Sequence, residues 1–424
     1  MDLLETADRL FTGELDITEH HPFSPSGELA EVAPRTAFVS AFANSAVFAT
    51  DAGLVMIDTS SELFCKHVHE SVRGWSTDRL DTAVFTHGHV DHCFGVDLYE
   101  DDARRAGTDA PRVVAHEAIR ARFARYRETA GYNAVINQRQ FRLARPYWPT
   151  HYREPDVTYR DRLSLEIGGE AFELVHARGE TDDHTWLWIP ERKVVCTGDL
   201  FIWASPNCGN PQKVQRYAIE WADALDEMSS LGATVLLPGH GLPIIGADRV
   251  RAALTDAAAL LRYLHTETIR MMNEGARLDD IVHTVRAPAE LIEKPYLKPV
   301  YDEPEFVVRN VWRLFGGWYD GNPANLKPAS ERAVALEVAA LAGGADRLAA
   351  RALELADGGD LRLAGHLVEM ASLAAEGREA STAHAARAEV FRRRVDAEAS
   401  LMAKGVFGWA VAESTAVVEG HETH

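Results

Sequence analysis

Thr86-His87-Gly88-His89-Val90-Asp91-His92 stands directly behind an apolar run, Thr82 to Phe85, that reads as a buried β-strand. Three imidazoles and a carboxylate fall between His87 and His92, a donor set that suits zinc and related borderline metals. Thiolates are absent at ligand spacing, which argues against a Cys-rich structural zinc. Side chains two apart do not face each other on a helix, so His87 and His89 share one ion only from a strand end or loop. Asp91 and His92 then point elsewhere. The simplest geometry is a pair of adjacent metals, with His87 and His89 on one and Asp91 and His92 on the other. Without metal, each of these polar groups at a buried strand end would need its own hydrogen-bond partner.

Working outward, the chain of 424 residues exceeds what one hydrophobic core usually holds, so two domains are expected. Hydrophobic residues at 46% and charged residues at 25% describe a globular chain, and no apolar run reaches the roughly 18 to 20 residues of a membrane span. The N-terminus, Met1 to Leu10, has no basic patch ahead of an apolar stretch, so no secretory signal is read and a cytoplasmic location is expected. A formal charge of -20 repels phosphate backbones and anionic lipid, and no local basic patch offsets it, which argues against nucleic acid and membrane surfaces as partners. Cys65, Cys93, Cys196 and Cys208 form no CxxC and read as reduced thiols. Cys93, beside His92, reads as a small buried residue, with metal ligation the alternative.

Residues 1–35 look like a polar lead-in without chemistry. Short β-type runs follow, Phe38 to Phe42, Ala46 to Thr50 and Leu54 to Ile57, and the last ends in Asp58. That carboxylate either orients a metal-bound histidine or caps the next helix through Thr59 and Ser60. A helix from roughly Glu62 to Gly74 and the strand at Thr82 make a β-α-β step that delivers the metal loop at the strand's carboxyl end, where α/β proteins place ligands. The basic, aromatic-rich stretch from Arg120 to Tyr159 is either a lid over an apolar substrate or a long excursion packed on the core. Beyond it, strand-like runs end in His176 to Glu180, in Thr197-Gly198-Asp199 and in Pro238-Gly239-His240-Gly241, and Asp182-Asp183-His184 leads into the strand at Thr185. Strand ends thus offer His or carboxylate groups repeatedly, and the region's two halves, before and after about residue 150, look alike. The fold class that follows is α/β, a four-layer αββα sandwich with a metal cleft along one sheet edge.

Together these motifs resemble the metallo-β-lactamase superfamily over about Phe38 to Gly246. The resemblance implies two Zn2+ ions in a dinuclear site whose ligands are His87, His89, Asp91, His92, Glu180, Asp199 and His240. Asp199 matches the bridging carboxylate, and Asp91 and Asp199 are the residues implied to be catalytic. Most members carry His where this chain has Glu180. Glutamate there is similar to the alkylsulfatase branch. The string Gly317-Trp318-Tyr319-Asp320-Gly321-Asn322-Pro323-Ala324-Asn325-Leu326 resembles the signature of the alkylsulfatase dimerisation domain. About four Ala/Leu-rich helices follow between residues 330 and 403, broken at Gly343-Gly344, Gly358-Gly359 and near Gly377. The expected organisation is a catalytic domain over 1–247, an all-α dimerisation domain over 248–403 and a tail over 404–424. A homodimer is implied, with a monomeric helical appendage the alternative. The lipid-carrier-like third domain of large alkylsulfatases is expected to be missing.

On the substrate side, Asn207 matches the family's sulfate-binding asparagine, Arg216 with Trp221 resembles its Val-Arg-Asp-x-x-x-Trp run, and Tyr301 fits a family tyrosine. There are departures. An arginine that helps hold sulfate falls at Gln212, leaving Lys213 as the nearby cation, and a His-Asn pair is replaced by Phe306-Val307. The reading is a metal-dependent hydrolase of a small-molecule ester, an organic sulfate cleaved by metal-activated water, with Asn207, Lys213, Arg216 and Tyr301 on the substrate. The alternative is hydrolysis of a carboxylic ester, lactone or amide. A di-iron redox centre ranks lower, because His89 stands where such proteins have Glu and no glycine-rich flavin segment follows.

Overall fold

Strands enclosed along their whole length need cover on both faces, and Gly53–Ile57 is buried at every position. The computed structural model describes residues 2–420, with only the backbone of Arg378. It provides that cover with two facing sheets and helices outside each.

The chain opens with α1 (Leu3–Phe11), followed by the hairpins β1 (Leu29–Ala33), β2 (Thr36–Val39), β3 (Ser45–Thr50) and β4 (Gly53–Ile57). Then come α2 (Cys65–Trp75), β5 (Leu80–Val84), α3 (Val96–Ala106), β6 (Arg112–His116), α4 (Ile119–Glu128), α5 (Ala130–Phe141) and β7 (Val157–Tyr159). β1 to β7 form one sheet in chain order, antiparallel as far as β4 and parallel from there on. The second sheet holds β8 (Arg162–Ile167), β9 (Glu170–His176), β10 (Thr185–Ile189), β11 (Val194–Ile202), β12 (Val235–His240) and β13 (Ile244–Ile245), with α6 (Ala218–Ser229) between β11 and β12. The repeat of layout therefore changes over near residue 160, between β7 and β8. Phe48 and Phe172 meet edge to face between the sheets at 5.6 Å, in a core that also takes in Phe38, Trp186 and Leu187.

Helices α7 (Ala247–Asn273), α8 (Leu278–Thr284), α9 (Ala289–Ile292) and α10 (Pro304–Gly316) come next. They bury Leu254, Leu261, Ile281 and Val308 in the same core as the sheets. Contacts divide the chain into one unit of Met1–Ala130 and Pro149–Gly317 and another of Gly131–Trp148 and Trp318–His424, so α7 to α10 pack with the sheets.

The second unit contains α11 (Pro323–Leu326), α12 (Glu331–Ala342), α13 (Ala345–Asp357), α14 (Leu361–Ala374), α15 (Arg378–Ala397) and α16 (Leu401–Glu419). Its core is built from small side chains such as Ala335, Ala352, Ala364, Ala371 and Ala383, which let helix axes approach closely. The stretch 404–424, expected as a tail, is mostly helix. Ser400 caps α16 by accepting from Ala403 N–H at 3.2 Å, and Gly420 ends it in a left-handed conformation; residues 421–424 lie outside the described ones. By length and composition α16 is apolar enough to cross a membrane, which counting uninterrupted apolar runs missed because Lys404 and Glu413 interrupt it. Here it packs along α15, with Glu413 accepting from Trp409 Nε1 at 2.8 Å and pairing with Arg387.

Candidate metal centre

Asp58 closes β4 in a left-handed conformation, with φ of 56°. Its carboxylate accepts from the backbone N–H and the hydroxyl of Thr86, both at 2.7 Å, and lies 2.8 Å from His92 Nδ1. Helix α2 starts only at Cys65 and has no side-chain cap, so Asp58 orients His92 and does not cap the helix. His92 Nε2 is thereby left pointing into the centre.

The loops bring all seven expected ligands into two adjacent groups, one of His87, His89, Glu180 and Asp199 and one of Asp91, His92 and His240. In the first, Glu180 Oε2 lies 3.2 Å from His89 Nδ1 and 3.4 Å from His87 Nε2, and the two imidazole nitrogens are 2.8 Å apart. In the second, Asp91 Oδ2 lies 3.5 Å from His240 Nε2 and 3.8 Å from His92 Nε2. Asp199 stands between them. Its Oδ1 is 3.4 Å from His92 Nε2, and its Oδ2 is 3.2 Å from His240 Nε2 and 3.7 Å from His87 Nε2.

These separations fit ion binding, because ligand atoms about 2.0–2.1 Å from a tetrahedral ion lie about 3.3 Å from one another. Among the described residues, the buried atoms His92 Nε2, Glu180 Oε2 and Asp199 Oδ1 also have no hydrogen-bond partner, a costly state that a cation relieves. Protonation states agree. Burial, then His92 and His89, push His87 well below the ordinary imidazole value and leave it neutral. Burial alone would raise Asp199, but His240 and His92 outweigh it and keep the carboxylate ionised. Cys93 is outside both groups; its thiol points to His89 O at 3.1 Å, and burial, then Asp58, push it well up, so it is a buried thiol.

Among the expected substrate residues, Arg216 is 2% exposed and committed elsewhere. Its Nη2 lies 3.0 Å from Glu180 Oε1 and its Nη1 donates to the carbonyl of Asn207. Asn207 Nδ2 donates to the same Glu180 oxygen at 2.7 Å. Burial would raise Glu180, and Arg216 followed by His89 reverses that. Lys213 is half-buried and feels Arg216, Asp91, Glu180 and Arg122; burial, reinforced by Arg216, lowers it to about 8. Tyr301 packs on Phe23 at 5.1 Å, and burial, then Asp91 and Glu180, raise its hydroxyl well up.

Several residues at the centre were given no role from the sequence. His184 stacks on His87 at 4.7 Å and its Nε2 accepts from Asp199 N–H at 3.1 Å. Gly198, with φ of 51°, is required there, since a Cβ would stand 2.7 Å from His184 Cε1. Phe23, from the lead-in without assigned chemistry, and Phe42 flank His240 at 5.3 and 5.1 Å. The aromatic-rich stretch divides: α4 rests on the His87–His89 turn through Arg122, Ile119 and Phe123, whereas α5 lies in the helical unit.

A four-layer αββα sandwich with paired His and carboxylate groups at its strand ends defines a metallo-β-lactamase-type metal protein. Family comparison agrees: residues 41–240 match the metallo-beta-lactamase superfamily and residues 277–416 match the alkyl sulfatase dimerisation family. The chain carries a metallo-β-lactamase domain followed by an alkylsulfatase dimerisation domain. Similar curated proteins include a linear primary-alkylsulfatase of Pseudomonas sp., 26% identical over 319 residues, covering 70% of this chain and 60% of the relative. An (R)-specific secondary-alkylsulfatase, also of Pseudomonas sp., is 27% identical over 364 residues, covering 77% of this chain and 54% of the relative. The chain thus spans little more than half the length of these relatives. The solved structure of the stereoselective inverting sec-alkylsulfatase Pisa1 from Pseudomonas sp. superposes with a TM-score of 0.82 at 23% identity, over 93% of this chain and 66% of that one.

Proposed function

We propose that this protein is a dinuclear zinc hydrolase of organic sulfate esters. The observation that carries the reading is the pair of ligand groups sharing Asp199, whose oxygens reach His87, His92 and His240. Zinc is favoured by the nitrogen and oxygen donors without thiolate. Two zinc ions held there would lower the pKa of bound water toward neutrality and accept charge from the ester. The chain's own residues orient the substrate. Asn207 and Lys213 are proposed to take the anionic group, and Tyr301 with Phe42 to line the side toward His240. Arg216 acts on substrate only indirectly, by holding Glu180 ionised and in place. The similar proteins named as alkylsulfatases support the sulfate ester as substrate class. The test is release of sulfate from a panel of alkyl sulfates by the zinc-loaded chain.

A second reading, hydrolysis of a carboxylic ester, lactone or amide, draws support from that commitment of Arg216 to Glu180. It leaves an ammonium where an arginine fork would grip a tetrahedral anion better. A panel that includes lactones and carboxylic esters separates the two.

Lys213 predicts a pH dependence. With its pKa lowered to about 8, it loses its proton, and the site its cation, as pH rises past that value. KM for an anionic ester should then climb about tenfold per pH unit, while Lys213→Arg, charged to beyond pH ~12, should flatten the rise. A KM profile identical in the two proteins would remove Lys213 from the substrate site.

A homodimer is also proposed. Exposed Trp318, Leu326 and Leu341 of the helical unit, at 71%, 52% and 81%, offer apolar surface that a second copy would cover, in a region matched to the dimerisation family. Sedimentation should give twice the chain mass, and a monomer at micromolar concentration would reject the assignment.

A further inference from the structure

We infer that Arg122 and Asp183 form a clamp that positions one half of the metal centre, the His87, His89 and Glu180 group, and not the other. This rests on the two-ion reading. Asp183 is 1% exposed and Arg122 is 2% exposed. One carboxylate oxygen of Asp183 accepts from Gly88 N–H at 2.9 Å and the other from Arg122 Nε at 2.7 Å. Arg122 also donates through Nη2 to Asp182, so its fork spans two successive carboxylates.

The position of these bonds gives them their effect. Gly88 separates His87 from His89, and Asp183 lies three residues beyond Glu180 on the loop that carries it. A bond from Gly88 to Asp183 therefore fixes the turn bearing two ligands against the loop bearing the third. A second stitch stands on the other side of His87, where Thr185 N–H donates to Thr86 O at 2.7 Å. Helix α4 forms the floor. A Cβ on Gly88 would come 2.9 Å from Arg122 Cδ and 3.0 Å from Ile119 Cγ1, so the turn can seat there only without a side chain. The Asp91, His92 and His240 group is held by different partners, with His92 Nδ1 on Asp58 and His240 Nδ1 on the carbonyl of Phe42.

A buried pair could be merely structural, since breaking one leaves an unpaired charge. A positioning role makes a narrower demand: loss of the clamp must weaken one metal and spare the other. Zinc titration of the full chain against a chelating indicator reads both equivalents, and cobalt spectra report the geometry of each. Asp183→Asn keeps an acceptor for Gly88 but turns an amide toward Arg122, and Arg122→Lys keeps the charge but lacks the fork. Each should weaken one equivalent by ~10–100-fold, the range for residues that orient ligands, and leave the other within about threefold. In combination, Asp183→Asn should add to the loss caused by His240→Gln and add nothing to that caused by His89→Gln.

Equal weakening of both equivalents, unchanged binding in a folded variant, or additivity with His89→Gln would overturn the clamp. If Asp183→Asn does not fold, Arg122→Lys decides by the same criteria. A wild-type chain that takes up one equivalent would instead reject the two-ion reading, and the clamp then stands or falls on whether Asp183→Asn weakens that single ion.

Discussion

Asp199→Asn is expected to abolish turnover and to cut the zinc content from two ions per chain to one or none. Asp199 oxygens lie 3.2–3.7 Å from nitrogens of His240, His92 and His87, so one side chain serves both ligand groups. Asparagine offers a single neutral oxygen and removes the negative charge that two cations would share. The loss in kcat/KM should be ~10^3-fold or more, beyond the ~10–100-fold typical of residues that only orient ligands. Metal analysis beside steady-state kinetics checks it. A variant that keeps two zinc ions and wild-type turnover would show that the groups do not depend on a shared carboxylate.

Arg216→Met should lower the stability of the metal-free protein by about 3–5 kcal/mol, because it leaves the Glu180 carboxylate buried without its cation. Both side chains are 2% exposed, and Arg216 stands first among the charges that hold Glu180 ionised. Zinc should restore part of the loss, since an ion at His87, His89 and Glu180 offers the carboxylate another positive partner. Denaturant unfolding with and without zinc measures both effects. If Arg216 were a direct holder of substrate, the variant would instead raise KM and leave unfolding unchanged.

Four of the expected ligands were legible in the single stretch from His87 to His92, behind an apolar run, while Glu180, Asp199 and His240 were assigned through the family resemblance. Asp58 was legible as a carboxylate at a strand end, though its role was not, since orienting His92 and capping α2 depend on where the helix begins. Arg216 was legible only as part of a motif. Its partner Glu180 lies on another loop, and which anion a guanidinium meets is decided by packing.

Longer-range relations left no local trace. The Arg122 to Asp183 bond joins positions 61 residues apart. Phe23 reaches His240 from a proline-rich segment whose polarity hid a buried aromatic. Helix α16 was missed because glycines, Lys404 and Glu413 break the apolar run that would mark it. That α7 to α10 present an apolar face to the sheets was not legible either, because periodicity within one helix does not reveal which neighbour it meets.

The most direct test of the central claim is zinc titration of the metal-free chain while sulfate release from a panel of alkyl sulfates is followed in labelled water. Release should rise with zinc and saturate at two ions per chain, with label in the sulfate or the alcohol. A chain holding two zinc ions that releases sulfate from none of these esters would contradict the claim.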